Sequence, residues 1–274
     1  MSASMVDVLM ITYNRDRYTG LSLKRLLDTA PTNARVWVWH NGDHAATLKT
    51  VLSLREHPRF FRFHHSHENM KLREPTNWFW DQSDGDFVGK VDDDCLVPEG
   101  WIETLAKAHA DVPAFGVIGC WPFAKEDYVP ELAADKTKAF DSGHQLLQNC
   151  WIGGSGYITK RECIDQVGPI APDQSFTGYC IQLALRGWAN GWYLPFLYQD
   201  HMDDPRSEHT NFRTDADFRR LHPLTAKNFS VHTLEGWVGF IREDARISQT
   251  ASTDPRQYVG WRAKLKRARK RLLR

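Results

Sequence analysis

Short apolar runs that stop abruptly at polar residues, separated by amphipathic stretches, constrain this chain more than any other feature. Val6 to Thr12 is such a run and passes into Thr12-Tyr13-Asn14-Arg15, after which Leu21, Leu23, Leu26 and Leu27 follow a broadly helical spacing. Arg35 to Trp39, rich in Val and Trp, stops at His40-Asn41-Gly42-Asp43, where Asn-Gly favours a turn, and Ala45 to Leu54 predicts a further helix. Phe60 to Phe63 predicts a third short strand, and Phe87 to Val91 runs directly into Asp92-Asp93-Asp94. The repeated unit is a βα step. An open α/β sheet built from such steps places its sites beyond the carboxyl ends of the strands, so three of these polar strand ends are candidates to converge. Trp101 to Ala110 predicts another helix, and Gly116 to Trp121 a buried strand or turn.

The 274 residues are 42% hydrophobic and 25% charged, enough for a full core and unlike a disordered chain. The first residues, Met1 to Met5, carry no basic region leading into an apolar stretch, and later apolar runs are only strand-length. The expectation is a cytoplasmic protein without signal peptide or spanning helix. Five widely spaced cysteines suggest neither a disulfide framework nor a thiolate zinc site. The net charge of +1 conceals a division, because residues 258–274 hold eight Lys or Arg and no acid, leaving 27 basic against 34 acidic residues elsewhere. Trp261, Leu265, Ala268 and Leu272 would align as an apolar stripe on a helix within that basic tail. Residues 261–274 are therefore expected to meet an anionic membrane surface peripherally, with packing on the catalytic domain as the other reading. No base-reading motif accompanies the charge, so a specific nucleic-acid partner is not expected.

The acidic trio is the strongest chemical signal. Asp92 and Asp94 are two apart and follow a run that has just left the interior, a poor place for accidental clustered charge. Hard cations such as Mn or Mg take oxygen ligands and can bridge carboxylates to a diphosphate. Three adjacent acids also suit a solvated turn. His201 follows the apolar stretch Trp192 to Tyr198 and Asp200, so it can supply an imidazole ligand, or serve as an ordinary partly buried histidine.

The order Thr12-Tyr13-Asn14-Arg15, Asn41-Gly42-Asp43, Asp92-Asp93-Asp94 resembles family 2 glycosyltransferases with the GT-A fold, from about Asp7 through His201. The resemblance implies an α/β fold with a mostly parallel central sheet, a nucleoside-diphosphate sugar donor carrying UDP, GDP or dTDP, and a Mn or Mg ion held at a DXD motif. It implies donor contacts at Thr12, Tyr13, Asn14, Arg15, Asn41, Asp43, Asn69, Lys71, Arg73, Asn77, Lys90 and Asp92, with Arg73 the preferred cation on the diphosphate. Asp92, Asp94 and His201 would hold the metal. Trp151, Gly153 and Gly154, in the run Trp151-Ile152-Gly153-Gly154-Ser155-Gly156, look like the acceptor side, where a sugar can stack on an aromatic face. The division expected is a nucleotide-sugar-binding half at 1–100, an acceptor-binding half of the same domain at 101–235, and a C-terminal extension at 236–274.

One departure stands out. Inverting members commonly carry Glu-Asp ahead of a Leu-rich helix ending in Arg, and the corresponding run here is Tyr179-Cys180-Ile181-Gln182-Leu183-Ala184-Leu185-Arg186. The expected base is absent there, so Asp173 and Asp200 become the catalytic candidates and the stereochemical outcome is left open. The reading is a glycosyltransferase acting on a saccharide or lipid-linked saccharide, in surface polysaccharide or glycolipid synthesis. A carbohydrate-binding protein that has kept the fold and lost catalysis is the alternative.

Overall fold

The computed structural model describes residues 4–260. β1 (Val6–Thr12), α1 (Asp16–Thr29), β2 (Ala34–Asn41), α2 (Ala45–Ser53), β3 (Phe60–Ser66), α3 (Arg73–Gln82) and β4 (Phe87–Asp92) come first. They are followed by β5 (Cys95–Leu96), α4 (Trp101–Asp111), β6 (Phe115–Gly119), α5 (Pro130–Ala133), β7 (Thr137–Ala139), β8 (Gln145–Asn149) and β9 (Tyr157–Lys160). The remainder comprises α6 (Arg161–Val167), α7 (Phe176–Leu185), β10 (Ala189–Leu194), β11 (Asp200–His201), α8 (Asp215–Leu221), α9 (Leu224–Asn228) and α10 (Leu234–Thr250). Residues 261–274, which carry the membrane expectation, lie outside the described residues.

Nine strands form one sheet in the order β3-β2-β1-β4-β9-β6-β10-β8-β7, and β11 pairs separately with β5. β1 to β4, β6, β7 and β10 run one way and only β8 and β9 the other, so the sheet is mostly parallel in direction. Because side chains alternate along a strand, Val6, Val8 and Met10 enter a core with Leu23, Leu26 and Leu27 of α1 and Trp101, Ile102 and Leu105 of α4. Leu9 and Ile11 enter the opposite core with Phe79 and Trp80 of α3 and Tyr179, Cys180 and Leu183 of α7. Helices thus cover both faces, and continuous apolar strands are what such a doubly covered sheet requires. The one buried charge within β1, Asp7, accepts two bonds from Arg35, at 2.6 and 2.7 Å, and one each from Trp37 Nε1 and Gly85 N, both at 2.9 Å.

The division near residue 100 separates β5 from α4, yet the sheet draws on both sides of it. Of the residues after 236, those of α10 are built into the domain. α10 buries Trp237, Ile241, Ala245, Ser248 and Gln249 along one stripe, with Thr233 capping its start by accepting from Gly236 N. Trp237 Nε1 donates to the Asp203 carbonyl at 2.8 Å, while Lys136 and Asn149 side chains donate to the Ser248 carbonyl at 2.6 and 2.8 Å. Gln249 completes the attachment, accepting from Val129 N at 2.7 Å and donating to the Asp127 carbonyl at 2.8 Å.

His109, on α4, is fully enclosed between Phe87 and Phe115 and donates through Nε2 to the Ile158 carbonyl at 2.9 Å. Burial pushes its pKa down to about 3. The unfolded chain therefore takes up this proton first, so the contribution of His109 is complete above about pH 6.5 and is lost as pH falls toward 3. His109→Phe is expected to reduce the drop in urea midpoint between about pH 7 and about pH 5, with buried His40, pushed down to about 4, supplying part of the remaining slope. An unchanged pH slope in the variant would remove His109 from the acid response.

Candidate active site

β1 and β4 are neighbours in register, with Ile11 opposite Asp92, so the loop after β1 and the acidic turn after β4 begin side by side. Strand order reverses at β1, which lies between β2 and β4 and opens the crevice expected beyond the carboxyl ends of such strands. A cleft of about 590 Å³ occupies that position. Tyr13, Arg15, Asn41, Asn69 and Lys71 line one side, Asp92, Asp93, Asp94 and His201 its base, and Trp151 to Ser155 with Trp237, Phe240 and Asp244 of α10 the other side.

The three aspartates do different things. Asp93 turns back into the fold, accepting from Tyr13 N at 3.1 Å and Thr19 Oγ1 at 3.0 Å, and so ties the β1 loop and α1 to the turn. Asp92 pairs with buried Lys90, and its amide donates to Ser155 Oγ at 2.9 Å, which fixes the glycine segment against the turn. Asp94 receives Arg15 Nη1 at 2.7 Å and lies 3.8 Å from His201 Nε2. The same Arg15 nitrogen reaches Asp203 at 2.9 Å. β11 brings His201 here, because its antiparallel pairing sets His201 opposite Cys95.

Asp94 and Asp203 thus share one guanidinium, with Asp93 close enough to feel its charge. Burial, then the charge of Asp94, pushes Asp93 up to about 7, and burial also raises Asp203. Burial opposes the charge of Asp94, but His201 and Arg15 outweigh it and hold the carboxyl well below the usual range. Burial likewise disfavours a charged imidazole at His201, yet Asp94 raises its pKa to about 9. At 3.8 Å that contact is an ion pair and too long for a hydrogen bond. Cys95 Sγ donates to Asp94 at 3.4 Å, and burial drives its pKa well up, so it stands as a neutral thiol.

These residues fit a hard divalent cation. Asp94 and His201 present ligand atoms with Cys95 within 4.8 Å of one another, and Asp203 Oδ1 is buried without a partner. A second cluster, Asp43, His65 and His67, is also close enough to hold an ion, but its members already bond one another, His67 to Asp43 at 2.8 Å and His65 to Asp43 at 3.1 Å.

Several expected donor contacts point elsewhere. Arg73 donates to the Pro172 carbonyl, and Asn77 exchanges two bonds of 2.9 Å with the Ile170 backbone, so both bind the 170–172 loop instead of lining the cleft. Lys90 is spent on Asp92, Thr12 bonds buried His40 at 2.8 Å, and Asp43 faces its histidines. Asn14, exposed and left-handed at φ 53°, shapes the loop without lining the cleft. Asn41 lines the cleft and also accepts from Met70 N and donates to the Lys71 carbonyl, both at 3.0 Å, which presents Asn69 and Lys71. Asp173 is exposed on a loop, and Asp200 accepts from Ser207 Oγ at 2.8 Å; neither lines the cleft. Sequence reasoning missed Asp203 and the α10 residues, although the acidic run Asp203-Asp204 and the spacing Trp237, Ile241, Ala245, Ser248 were present as signals.

The fold and cleft define an α/β protein of the sugar-nucleotide transferase type. Residues 7–160 match the family described as Glycosyl transferase family 2, and the chain belongs to that family; it is a glycosyltransferase. Among solved structures it is similar to the mannosyltransferase PcManGT from Pyrobaculum calidifontis in complex with GDP-Man and Mn2+ (17% identity, TM-score 0.62, 99% of this chain and 81% of the other). It is also similar to S. aureus TarS 1-349 (13% identity, TM-score 0.55, 96% of this chain and 92% of the other). The same TarS fragment in complex with UDP-GlcNAc gives 17% identity and a TM-score of 0.59, covering 93% of this chain and 72% of the other. These likenesses concern the fold. No curated protein sequence matches the chain.

Arg15→Ala would leave Asp94 and Asp203 without their shared cation. The expected cost is about 2–3 kcal/mol in urea denaturation, the low end for a broken buried pair because the Arg15 side chain is 31% exposed. Arg15→Lys should recover much of it, since both contacts run through one guanidinium nitrogen whose place an ammonium can take. A parental midpoint in Arg15→Ala would show that the cluster does not hold these segments together.

Proposed function

We propose that the enzyme moves a sugar from a nucleoside-diphosphate donor, carrying UDP, GDP or dTDP, to an acceptor hydroxyl, with Mn or Mg held by Asp92, Asp94 and His201. The observation that carries this reading is the meeting of Asp94 and His201, whose ligand atoms lie within 4.8 Å of one another with that of Cys95, in a cleft that Asp92 also lines. When bound, the cation offsets the charge that develops on the departing diphosphate. Tyr13, Asn41, Asn69 and Lys71 are the donor side in this reading: an aromatic face, two amides and one ammonium suit a base, a ribose and a phosphate. Trp151, Gly153 and Gly154 supply the acceptor side, since no Cβ crowds either glycine and Trp151 offers a stacking surface. A saccharide or lipid-linked saccharide suits such a wall. The similar structures support both donor classes, one having been solved with GDP-Man and the other with UDP-GlcNAc.

Among the described residues no helix is long and apolar enough to cross a membrane. A peripheral position on the cytoplasmic face rests on the basic, amphipathic spacing of residues 261–274. The full chain is expected to cosediment with anionic vesicles at near-physiological salt and a 1–257 truncation to remain in solution. Equal partitioning of the two would remove the tail as the anchor.

Asp94→Ala and Asp92→Ala should each lower transfer by about a hundredfold or more, the rate equivalent of losing a few kcal/mol of charge stabilisation. Circular dichroism should be near parental. Calorimetry with Mn2+ and nucleoside diphosphate should show weakened metal-supported binding in both variants and in His201→Ala. Unchanged activity of Asp94→Ala across a metal titration would overturn the assignment.

A further inference from the structure

Transfer to a hydroxyl requires a group that takes the hydroxyl proton as the oxygen attacks the anomeric carbon. The segment where related sequences are expected to carry that carboxylate holds Tyr179 and Cys180, and both are fully buried in the core between α7 and the sheet. Burial pushes the Cys180 thiol up to about 12 and raises the Tyr179 phenol further, so neither is a proton acceptor near neutrality.

Among the described residues the acids lining the cleft are Asp92, Asp93, Asp94, Asp203 and Asp244. The first four are engaged: Asp92 by Lys90, Asp93 by the Tyr13 amide and Thr19, Asp94 and Asp203 by Arg15. Asp244 has no ion-pair or hydrogen-bond partner among the described residues. We propose that Asp244 of α10 is the general base that deprotonates the acceptor, a role relocated from α7 to the C-terminal helix.

Three observations place it there. Asp244 stands three residues after Ile241 and four before Ser248, at the exposed edge of the buried stripe of α10, where it lines the cleft. That helix is tied down on either side of Asp244, by Trp237 to the Asp203 carbonyl at 2.8 Å and at the Ser248 carbonyl by Lys136 at 2.6 Å and Asn149 at 2.8 Å. A carboxylate between two fixed points is held in position, as a base must be. Finally, the exposed carboxylate lines the cleft, where partial desolvation, then the charge of Glu243, raises its pKa and strengthens it as a proton acceptor.

The step balances as a single displacement. The acceptor O–H proton passes to a carboxylate oxygen of Asp244, and the freed electron pair forms the bond from the acceptor oxygen to the anomeric carbon. The bond from that carbon to the diphosphate oxygen breaks, and its pair leaves with the diphosphate. The configuration at the anomeric carbon inverts.

The inference rests on the donor reading above, and the test separates the two. The full-length enzyme with Mn2+ is given GDP-mannose and UDP-GlcNAc, water serves as the acceptor, and the first sugar anomer released is followed by proton NMR. Asp244→Asn should slow hydrolysis of the donor that the parent uses by about a hundredfold or more. Its calorimetric affinity for the matching nucleoside diphosphate and its thermal midpoint should stay parental, and Asp244→Glu should recover part of the rate. The anomer first released should be inverted relative to the donor. Parental hydrolysis by Asp244→Asn, a rate loss matched by weaker nucleotide binding, or a retained anomer would each overturn the role of Asp244 while leaving the donor reading intact. A parent that binds none of GDP, UDP and dTDP with Mn2+ would overturn the donor reading, and the base with it.

Discussion

Arg15 binds together parts of the chain that are nearly two hundred residues apart. Its guanidinium, on the loop after β1, reaches Asp94 after β4 and Asp203 after β11 through a single nitrogen. Asp203 in turn offers its carbonyl to Trp237, so the same centre positions the start of α10. Burying these groups opposes their charge, and the mutual attraction offsets that cost only while all are present. One oxygen of Asp203 is nevertheless left buried without a partner. A site meant only for stability would tend to satisfy that acceptor, whereas one that receives a cation would keep it.

The half of the fold that surrounds this centre was legible because its rules are local. A strand buried on both faces must be apolar and must end where polar loop begins, so β1, β2 and β4 announced both their existence and their carboxyl ends. The acidic turn could be placed at a strand end for the same reason. What could not be read was the direction of each side chain beyond the strand. Lys71 and Arg73 are two residues apart, yet Lys71 sits on a left-handed turn held by Asn41 and faces the cleft, while Arg73 opens α3 and bonds the Pro172 carbonyl. Charge type alone favoured the arginine. The backbone conformation that decided otherwise depends on a partner thirty residues upstream.

The C-terminal wall was illegible for a different reason. α10 has an ordinary amphipathic pattern, and a helix burying one stripe on any surface would look the same. Its importance comes from where that stripe lands. Ala245 joins the core beneath the sheet, while Trp237 and Ile241 form a separate cluster with Phe212, Phe218 and Ala226. Only those long-range contacts turn the helix into one side of the cleft, and they bring Asp244 to a place that sequence separation from the acidic trio would never suggest.

The two departures from the expected pattern then explain one another. Tyr179 and Cys180 fill the space between α7 and the sheet, where Tyr179 packs on Trp80 with ring centroids 5.0 Å apart and a charged pair would have to be desolvated. α7 is thereby a core helix along nearly its whole inner face, and only Thr177, in its first turn, reaches the cleft. A helix committed to packing in this way cannot also offer a carboxylate to substrate. A cleft whose far wall is an anchored helix with an open carboxylate does not need it to. In the reading proposed above, the carboxylate that α7 lacks is supplied by α10, which lines the cleft together with the glycine segment that receives the acceptor.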